Sequence, residues 1–528
     1  MILQGKRVDL PPEPVVHRRF EAHAEATPDA VAVFCAGHRM TYAELNAEAN
    51  GFAHALLARG HGRGAKVGIC LDYSIDMLVA VLGTLKAGAA YVPLDPAYPA
   101  ARLRLLLGQI PDLALIVASP ATAPLVASSS AEVVGLRRLP RPPAGHPATG
   151  PDVRVTGDDI CYAVFTSGST GTPKLTAIRH EGWFNLLNWL TDEYGLHRGS
   201  HHLVVSAFGF DLSQRSLMAP LFCGATQHLM ASRNVDVMMA YRMLTEHDIR
   251  VVHCASSTLY LLVDRETARG GDALARLDYL LFGGEPLKSE RIADWAAREG
   301  TTCTLLHQYG VAECTDVATS YDLAGHRPGD GQAAPVGRPA HNTDILLLDE
   351  QLRGVAPGER GEICIAGTGV GTGYLNGSGP ESERFTSVEV DGVPRRLYRT
   401  GDRGYVTEAG DLVVLGRIDA QVKVRGMRID PADVERALGR LDGVREAAVV
   451  VAPAESGEAE LTAFVVPDGD VLAEDEVREH LLRSLPRNMV PARFIGIPHI
   501  PLSPHGKVDR AALLDAYRNG PAGTGTAA

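Results

Sequence analysis

Between Lys66 and Asp95 the sequence changes period within a few residues, and that change confines the fold more than any other stretch. Lys66 to Leu71 reads as a strand. Met77 to Lys86 carries apolar residues at helical spacing and stops at the glycine of Lys86-Ala87-Gly88, after which the chain runs into Tyr91-Val92-Pro93-Leu94-Asp95. Strand alternating with helix points to an α/β architecture with a substantially parallel sheet, because parallel neighbours need a crossover and the crossover is usually helical. A second strand signal follows at Asp159-Ile160-Cys161-Tyr162-Ala163-Val164-Phe165, a short apolar run bounded by polar residues. It leads directly into Thr166-Ser167-Gly168-Ser169-Thr170-Gly171-Thr172-Pro173-Lys174, a stretch of hydroxyls and glycines closing on a lysine.

A strand followed by such a loop is a phosphate-binding arrangement. Glycines let the backbone approach an anion, hydroxyls add donors, and a lysine brings a mobile positive charge to phosphate oxygens. The spacing is not that of a Walker loop, since Pro173 precedes the lysine and no hydroxyl follows it. By itself the loop also fits a solvent-exposed turn, for which the same residues are suited on local grounds.

The chain has 528 residues, 45% of them hydrophobic, which exceeds what one core usually holds, so at least two domains are expected. A formal net charge of −12 argues against a nucleic-acid partner. The first residues lack a signal peptide's apolar core, and no run of about 18 apolar residues suggests a membrane span. Eight cysteines lie scattered without C-x-x-C pairs, as buried thiols do in a reducing compartment. A cytoplasmic protein without membrane or nucleic-acid partners is expected.

Other segments fill in the order. Thr41 with Glu44 three residues on makes a capping box and starts a helix. From about Ser119 to Gly157 the composition shifts to Ala, Pro, Ser and Gly, which reads as a surface connection. Asp211, in Phe208-Gly209-Phe210-Asp211-Leu212-Ser213 after the β-like run Leu203 to Ser206, suits either a helix cap or a partner for a cation. Leu280 to Glu285 and Leu305 to Glu313 are strands running into glycine turns, and Gly361 to Gly367 is an alternating strand before the glycine-rich turn that ends at Tyr374-Leu375. Tyr398-Arg399-Thr400-Gly401-Asp402 reads as a turn. The charged, glycine-rich stretch Gly416 to Asp430 marks a domain boundary, after which Asp430-Pro431 opens a helix with Val434, Leu438 and Leu441 on one face. Strands at Ala447 to Val451 and Leu461 to Val466 and a helix from Glu474 to Leu485 complete a small α+β unit. Lys507, in Pro504-His505-Gly506-Lys507-Val508-Asp509-Arg510, sits in a loop where a lysine is ordinarily solvated.

Together these motifs, in this order from about Pro14 to Arg510, resemble the adenylate-forming superfamily, and most closely the amino-acid adenylation domains of nonribosomal peptide synthetases. The resemblance implies a large N-terminal domain (1–416) of mixed β-sheets layered with helices, a small mobile C-terminal α+β domain (417–515) and a tail (516–528). It implies activation of an α-amino acid by ATP and Mg²⁺ as aminoacyl-AMP, then transfer to the phosphopantetheine thiol of a separate carrier protein, in some relatives with a small MbtH-like chaperone. An acyl-CoA synthetase, a stand-alone amide ligase and a non-catalytic nucleotide-binding module are the alternatives.

Residue by residue, the resemblance makes Thr166, Ser167, Gly168, Ser169, Thr170, Gly171 and Lys174 the phosphate loop, and sets Gly283, Gly284 and Glu285 against the adenine. Tyr309 and Gly310 would face the adenine ring, Asp402 the ribose with Arg417 near it, and Glu313 would be the magnesium carboxylate. Lys507 would reach the substrate carboxylate and α-phosphate, and Asp419 would be the hinge. Asp211 would hold the substrate α-ammonium in a pocket with Leu212, Arg215, His253, Leu281, Gly283, Gln308, Asp316 and Val317. A polar side chain is expected there, either an anionic one paired with Arg215 or, if Arg215 and Asp316 neutralise each other, another hydrogen-bonding one. The sequence departs from the family pattern at His307, Val311, Ala312 and Leu175.

Overall fold

The computed structural model describes every residue except 137–148, 167–171, 299, 325–332, 378–379, 391, 419–420, 425–426, 455–458, 469–473, 502–507 and 520–528. The chain divides into two compact units. The first comprises Met1–Pro96, Leu107–Thr166 and Lys174–Asp419, and the second Ala97–Leu106, Ser167–Pro173 and Ala420–Ala528.

Two large sheets organise the first unit. In the seven-stranded one, Ile160–Thr166, Ala90–Pro93, Lys66–Cys70, Leu113–Ala118 and Glu132–Val134 run parallel in that order. The nine-stranded one has a parallel centre running Thr304–Tyr309, Tyr279–Gly283, Val251–Ala255, His201–Val205, Thr226–Leu229, Val31–Cys35. Helices Val16–Ala26, Tyr42–Leu57, Ile75–Lys86, His180–Tyr194 and Asp211–Cys223 share one apolar core with both sheets, Phe20, Leu45, Leu78, Trp183 and Phe222 packing with Val67, Val164 and Val204. The other face of the nine-stranded sheet is covered by Val237–Glu246, Ser256–Arg269 and Glu290–Ala296 through Leu244, Leu259 and Trp295. A six-stranded antiparallel sheet, built around Thr343–Leu348, Gly361–Gly367 and Val393–Val406, packs Ile345, Ile363 and Tyr398 against Tyr309 and Val311.

Local rules explain most boundaries. Thr41 and Glu44 form the expected capping box, with both reciprocal bonds present at 3.2 and 2.8 Å. The helix expected from Met77 begins at Ile75 instead, because Ser74 Oγ accepts from the Met77 N–H at 3.2 Å and caps it earlier.

Three readings of the sequence need correction. The stretch after Ser119 is more than a surface connection, since Glu132–Val134 adds an edge strand and Ala123–Val126 a helical turn. Tyr398 to Asp402 is not a turn but lies inside the strand Val393–Val406, where Gly401 alone takes a positive φ of 74°. Gly361–Gly367 is buried at five of its seven positions instead of alternating, because Ile363 and Ile365 pack into one apolar cluster and Cys364 and Ala366 into another on the opposite face.

In the second unit Val444–Pro453 pairs antiparallel with Ala459–Pro467, which pairs parallel with Arg493–Gly496. Ala448, Val450, Phe464 and Leu513 form its core. Asp430 caps the helix Pro431–Leu438 by accepting from the Ala432 N–H at 3.0 Å, and Val434 and Leu438 are fully buried while Leu441 falls beyond the helix end. Among the described residues no helix is long and apolar enough to cross a membrane, and all eight cysteines are free.

Candidate functional site

The carboxyl ends of parallel strands are where an open α/β sheet leaves a crevice. In the nine-stranded sheet the ends of His201–Val205, Val251–Ala255, Tyr279–Gly283 and Thr304–Tyr309 lie side by side, and the expected pocket residues emerge from them or from the segments that follow.

Asp211 is the first residue of the helix Asp211–Cys223, whose N-cap position is Phe210, so Asp211 does not serve as the cap. Its Oδ1 accepts from the Leu212 N–H at 2.8 Å. The loop before it is tied down: Ser213 Oγ donates to the carbonyls of Phe208 and Phe210 at 2.9 and 2.7 Å, and Gln214 Nε2 to the same two at 2.7 and 3.0 Å. Gln214 Oε1 accepts from Tyr91 OH at 2.7 Å and Asp95 Oδ2 from the Gly209 N–H at 3.3 Å, so the Tyr91-to-Asp95 motif acts as a clamp on this loop. Burial, then the negative charge of Asp316 and that of Glu313, push the Asp211 carboxyl up to about 7, with Arg215 pulling the other way.

One helical turn further in, Arg215 is 1% exposed. Its Nε lies 2.6 Å from Asp316 Oδ2 and its Nη1 donates to Gln308 Oε1. Of the two arrangements open for Arg215, the structure holds the pairing with Asp316. His253 is fully buried, stacked on His202 with ring centroids 6.0 Å apart, and neither of its ring nitrogens has a hydrogen-bond partner in the protein. Burial and the Arg215 charge hold its pKa well below the usual histidine range. Leu281 and Val317 pack with Leu186 and Trp189 in one apolar cluster, and the Leu212 carbonyl accepts from Ser216 Oγ at 2.7 Å. Gly283 is required by a close approach, since a Cβ there would stand 2.2 Å from the Gln308 carbonyl oxygen on the neighbouring strand.

After Tyr309 the chain doubles back. Gly310 permits it, because an added Cβ would lie 1.8 Å from the Asp316 carbonyl oxygen. A short 3₁₀ turn, Ala312–Cys314, is followed by Thr315 and Asp316, both left-handed with φ of 64° and 69°. That conformation is strained for a β-branched residue, and Thr315 Oγ1 holds it by donating to the Gly369 carbonyl at 2.6 Å. The departures from the family pattern find packing roles: Val311 and Ala312 sit in apolar clusters, His307 bonds the Pro335 carbonyl at 2.8 Å, and Leu175 is fully buried.

Glu313 is 1% exposed. Its Oε1 accepts from Tyr374 OH at 2.9 Å and from Thr166 Oγ1 at 3.4 Å, and Tyr374 OH lies 3.1 Å from Tyr398 OH. The first residue of the expected phosphate loop thus meets the expected magnesium carboxylate. Tyr309 OH donates to Asp402 Oδ2 at 2.7 Å and Arg417 Nη1 to Asp402 Oδ1 at 3.0 Å, which brings those three residues together. Each carboxylate oxygen still has accepting capacity beyond one bond.

Elsewhere, Thr166 and Lys174 pair across antiparallel strands, so the loop joins two strands and does not open a helix. Gly284 takes φ of 85°. Glu285 Oε2 accepts from the Ser257 N–H at 3.1 Å, capping the helix Ser256–Arg269, whose own N-cap residue Ala255 has no side chain to do so. Ser167, Gly168, Ser169, Thr170, Gly171, Asp419 and Lys507 lie outside the described residues. Tyr374 and Thr315 escaped the sequence reading. Tyr374 stood in a glycine-rich turn whose composition explained itself, and only its hydroxyl among glycines could have flagged it.

The profile of the AMP-binding enzyme family matches residues 20–375, and that of the AMP-binding enzyme C-terminal domain residues 433–507. One of the polypeptides that make up the linear gramicidin synthase of Brevibacillus parabrevis is 37% identical over 511 residues, 96% of this chain, which spans only 6% of that protein's length. Among solved structures, holo-PA1221, an NRPS protein containing adenylation and PCP domains, is 28% identical with a TM-score of 0.82, covering 96% of this chain and 85% of its own. The amide bond synthetase McbA of Marinactinospora thermotolerans is 25% identical with the same TM-score of 0.82, covering 95% of this chain and 99% of its own. With both profiles matched and the expected pocket residues gathered at the strand ends, the chain belongs to the AMP-binding enzyme family, as an adenylate-forming ligase closely related to the adenylation domains of nonribosomal peptide synthetases.

Proposed function

We propose that the chain activates an α-amino acid with ATP, forming aminoacyl-AMP and pyrophosphate, and passes the aminoacyl group to the phosphopantetheine thiol of a carrier protein. The observation that carries the amino-acid assignment is Asp211, a carboxyl in a mostly buried crevice beside Asp316 and Glu313. A carboxylate that burial and neighbouring charge disfavour gains from a bound ammonium, and a plain fatty or aryl acid would leave it unpaired.

In this reading Asp211 fixes the α-ammonium and so orients the substrate carboxylate towards the α-phosphorus. Its oxygen forms the new P–O bond as the bond to pyrophosphate breaks, and the protein's work is to position and neutralise two anions. Lys507 and Lys174 supply positive charge. Glu313 fits Mg²⁺, since that ion takes one or two protein carboxylates along with phosphate oxygens, and the Tyr374 and Thr166 hydroxyls orient the carboxylate. Bound there, Mg²⁺ would neutralise phosphate charge. Asp402, with Tyr309 and Arg417, would take the ribose hydroxyls. A reducing, cytoplasmic setting suits the eight free thiols.

The test is amino-acid-dependent exchange of labelled pyrophosphate into ATP, across amino, hydroxy and fatty acids, with and without an MbtH-like chaperone. Exchange with α-amino acids, lowered on the order of 10²-fold or more by Lys507→Ala, supports the reading. Exchange with fatty or aryl acids alone refutes it. The likeness to McbA favours a second reading for the later step, transfer to an amine. Product analysis with a phosphopantetheinylated carrier protein, coenzyme A and amines as competing acceptors separates the two.

A further inference from the structure

The inner end of the Asp211 crevice holds more buried hydrogen-bonding capacity than the protein uses. His253 is fully buried with both ring nitrogens unpartnered, and Gln308, 2% exposed, leaves Nε2 without a partner. The orientation of that carboxamide is fixed, because a guanidinium only donates and Gln308 must turn its oxygen to Arg215. Unpaired groups of this kind are rare in protein interiors. Here they stand on two strands of one sheet with Tyr279–Gly283 between them, and Gln308 is bonded to Arg215 of the helix that carries Asp211.

The charges at this end cancel. Arg215 is paired with Asp316 at 2.6 Å. An anionic side chain entering here would meet Asp316, and a cationic one would meet Arg215. A neutral imidazole offers one donor and one acceptor, and the Gln308 amide adds a second donor. Two separate donors and an acceptor are answered by a side chain whose own acceptor and donor are different atoms. A hydroxyl concentrates both on one oxygen, and an aliphatic chain has neither.

Resting on the adenylation reading, we infer that the amino acid activated by this chain carries an uncharged carboxamide side chain, whose oxygen accepts from Gln308 Nε2 or the His253 N–H and whose amide group donates to the remaining His253 nitrogen.

The experiment is the pyrophosphate exchange assay with L-glutamine and L-asparagine against the isosteric L-glutamate and L-aspartate, and against L-lysine, L-leucine and L-serine. The expected result is that one carboxamide gives the highest kcat/KM and exceeds its isosteric acid by about 10²-fold or more, since a site with buried polar groups rejects a ligand that leaves them unpaired. Highest turnover with an acidic, basic, apolar or hydroxyl side chain overturns the inference while leaving the adenylation reading intact. No exchange with any amino acid overturns both. A second readout is the preference for the carboxamide over leucine in His253→Leu and Gln308→Leu, expected to fall about 10-fold or more for each lost bond. An unchanged preference in variants that still bind ATP overturns the assignment. The wild-type panel decides the matter even where a variant fails to fold.

Discussion

Asp211 should make amino-acid binding a proton-releasing step. Its carboxyl is raised from the ordinary 3.8 to about 7 in the folded chain, chiefly by burial and by Asp316. At this group the folded chain therefore binds more protons than the unfolded chain between those values, and its contribution to stability falls as pH rises through that window. The ionised form is the one that an ammonium requires, and a bound ammonium draws the pKa back down. With a pKa of about 7, roughly nine in ten Asp211 carboxyls are protonated at pH 6 and roughly one in ten at pH 8. Binding of an amino acid should release about 0.9 proton at pH 6 and about 0.1 at pH 8, and kcat/KM for the amino acid should drop by about 10²-fold from pH 8 to pH 5. Isothermal titration calorimetry in buffers of different ionisation enthalpy measures the release directly. Asp211→Asn removes the titrating group and serves as the control for protonation of ATP itself. Equal proton release at pH 6 and pH 8, or the same pH profile in wild type and Asp211→Asn, would refute both the raised carboxyl and its role.

Tyr374→Phe deletes one of the hydroxyls that hold Glu313 Oε1; a lost bond to a charged group should lower exchange by about 10- to 100-fold and raise the Mg²⁺ concentration needed for half-maximal rate, as a magnesium titration would show. Gly310→Ala puts a methyl 1.8 Å from the Asp316 carbonyl oxygen, so the Asp316 segment must shift; exchange should fall more steeply than thermal stability, and full activity in the variant would mean that this turn does not position the pocket.

The fold was legible where period and local chemistry agreed. The capping box at Thr41, the strand and helix between Lys66 and Lys86, and the proline-started helix at Asp430 all follow from short-range rules. What stayed hidden depends on partners distant in sequence. Tyr398 to Asp402 carries turn residues, yet neighbours on both sides draw it into a long strand. Glu285 also caps a helix whose own cap residue is an alanine, a role that no local pattern around it signals. In the site, the ordered set of motifs and the resemblance it carries singled out Asp211, Glu313 and Asp402, whereas Tyr374 reaches Glu313 across 61 positions of sequence and only its hydroxyl among glycines marks it locally. The pairing of Arg215 with Asp316 could be posed from residue types as one of two options, and only the geometry of the turn after Gly310 selects it.

That turn also bears on how the chain could change over evolutionary time. Asp316 holds a left-handed φ of 69°, a conformation that few side chains adopt cheaply, asparagine and glycine foremost among them. Both lie one nucleotide change away from either aspartate codon, and both abolish the negative charge while leaving the backbone path undisturbed. The mildest substitution available at this position is thus one that uncovers the buried guanidinium of Arg215. A lineage drifting there would exchange a neutral recognition surface for a cationic one in a single step, and with it acquire an appetite for acidic side chains.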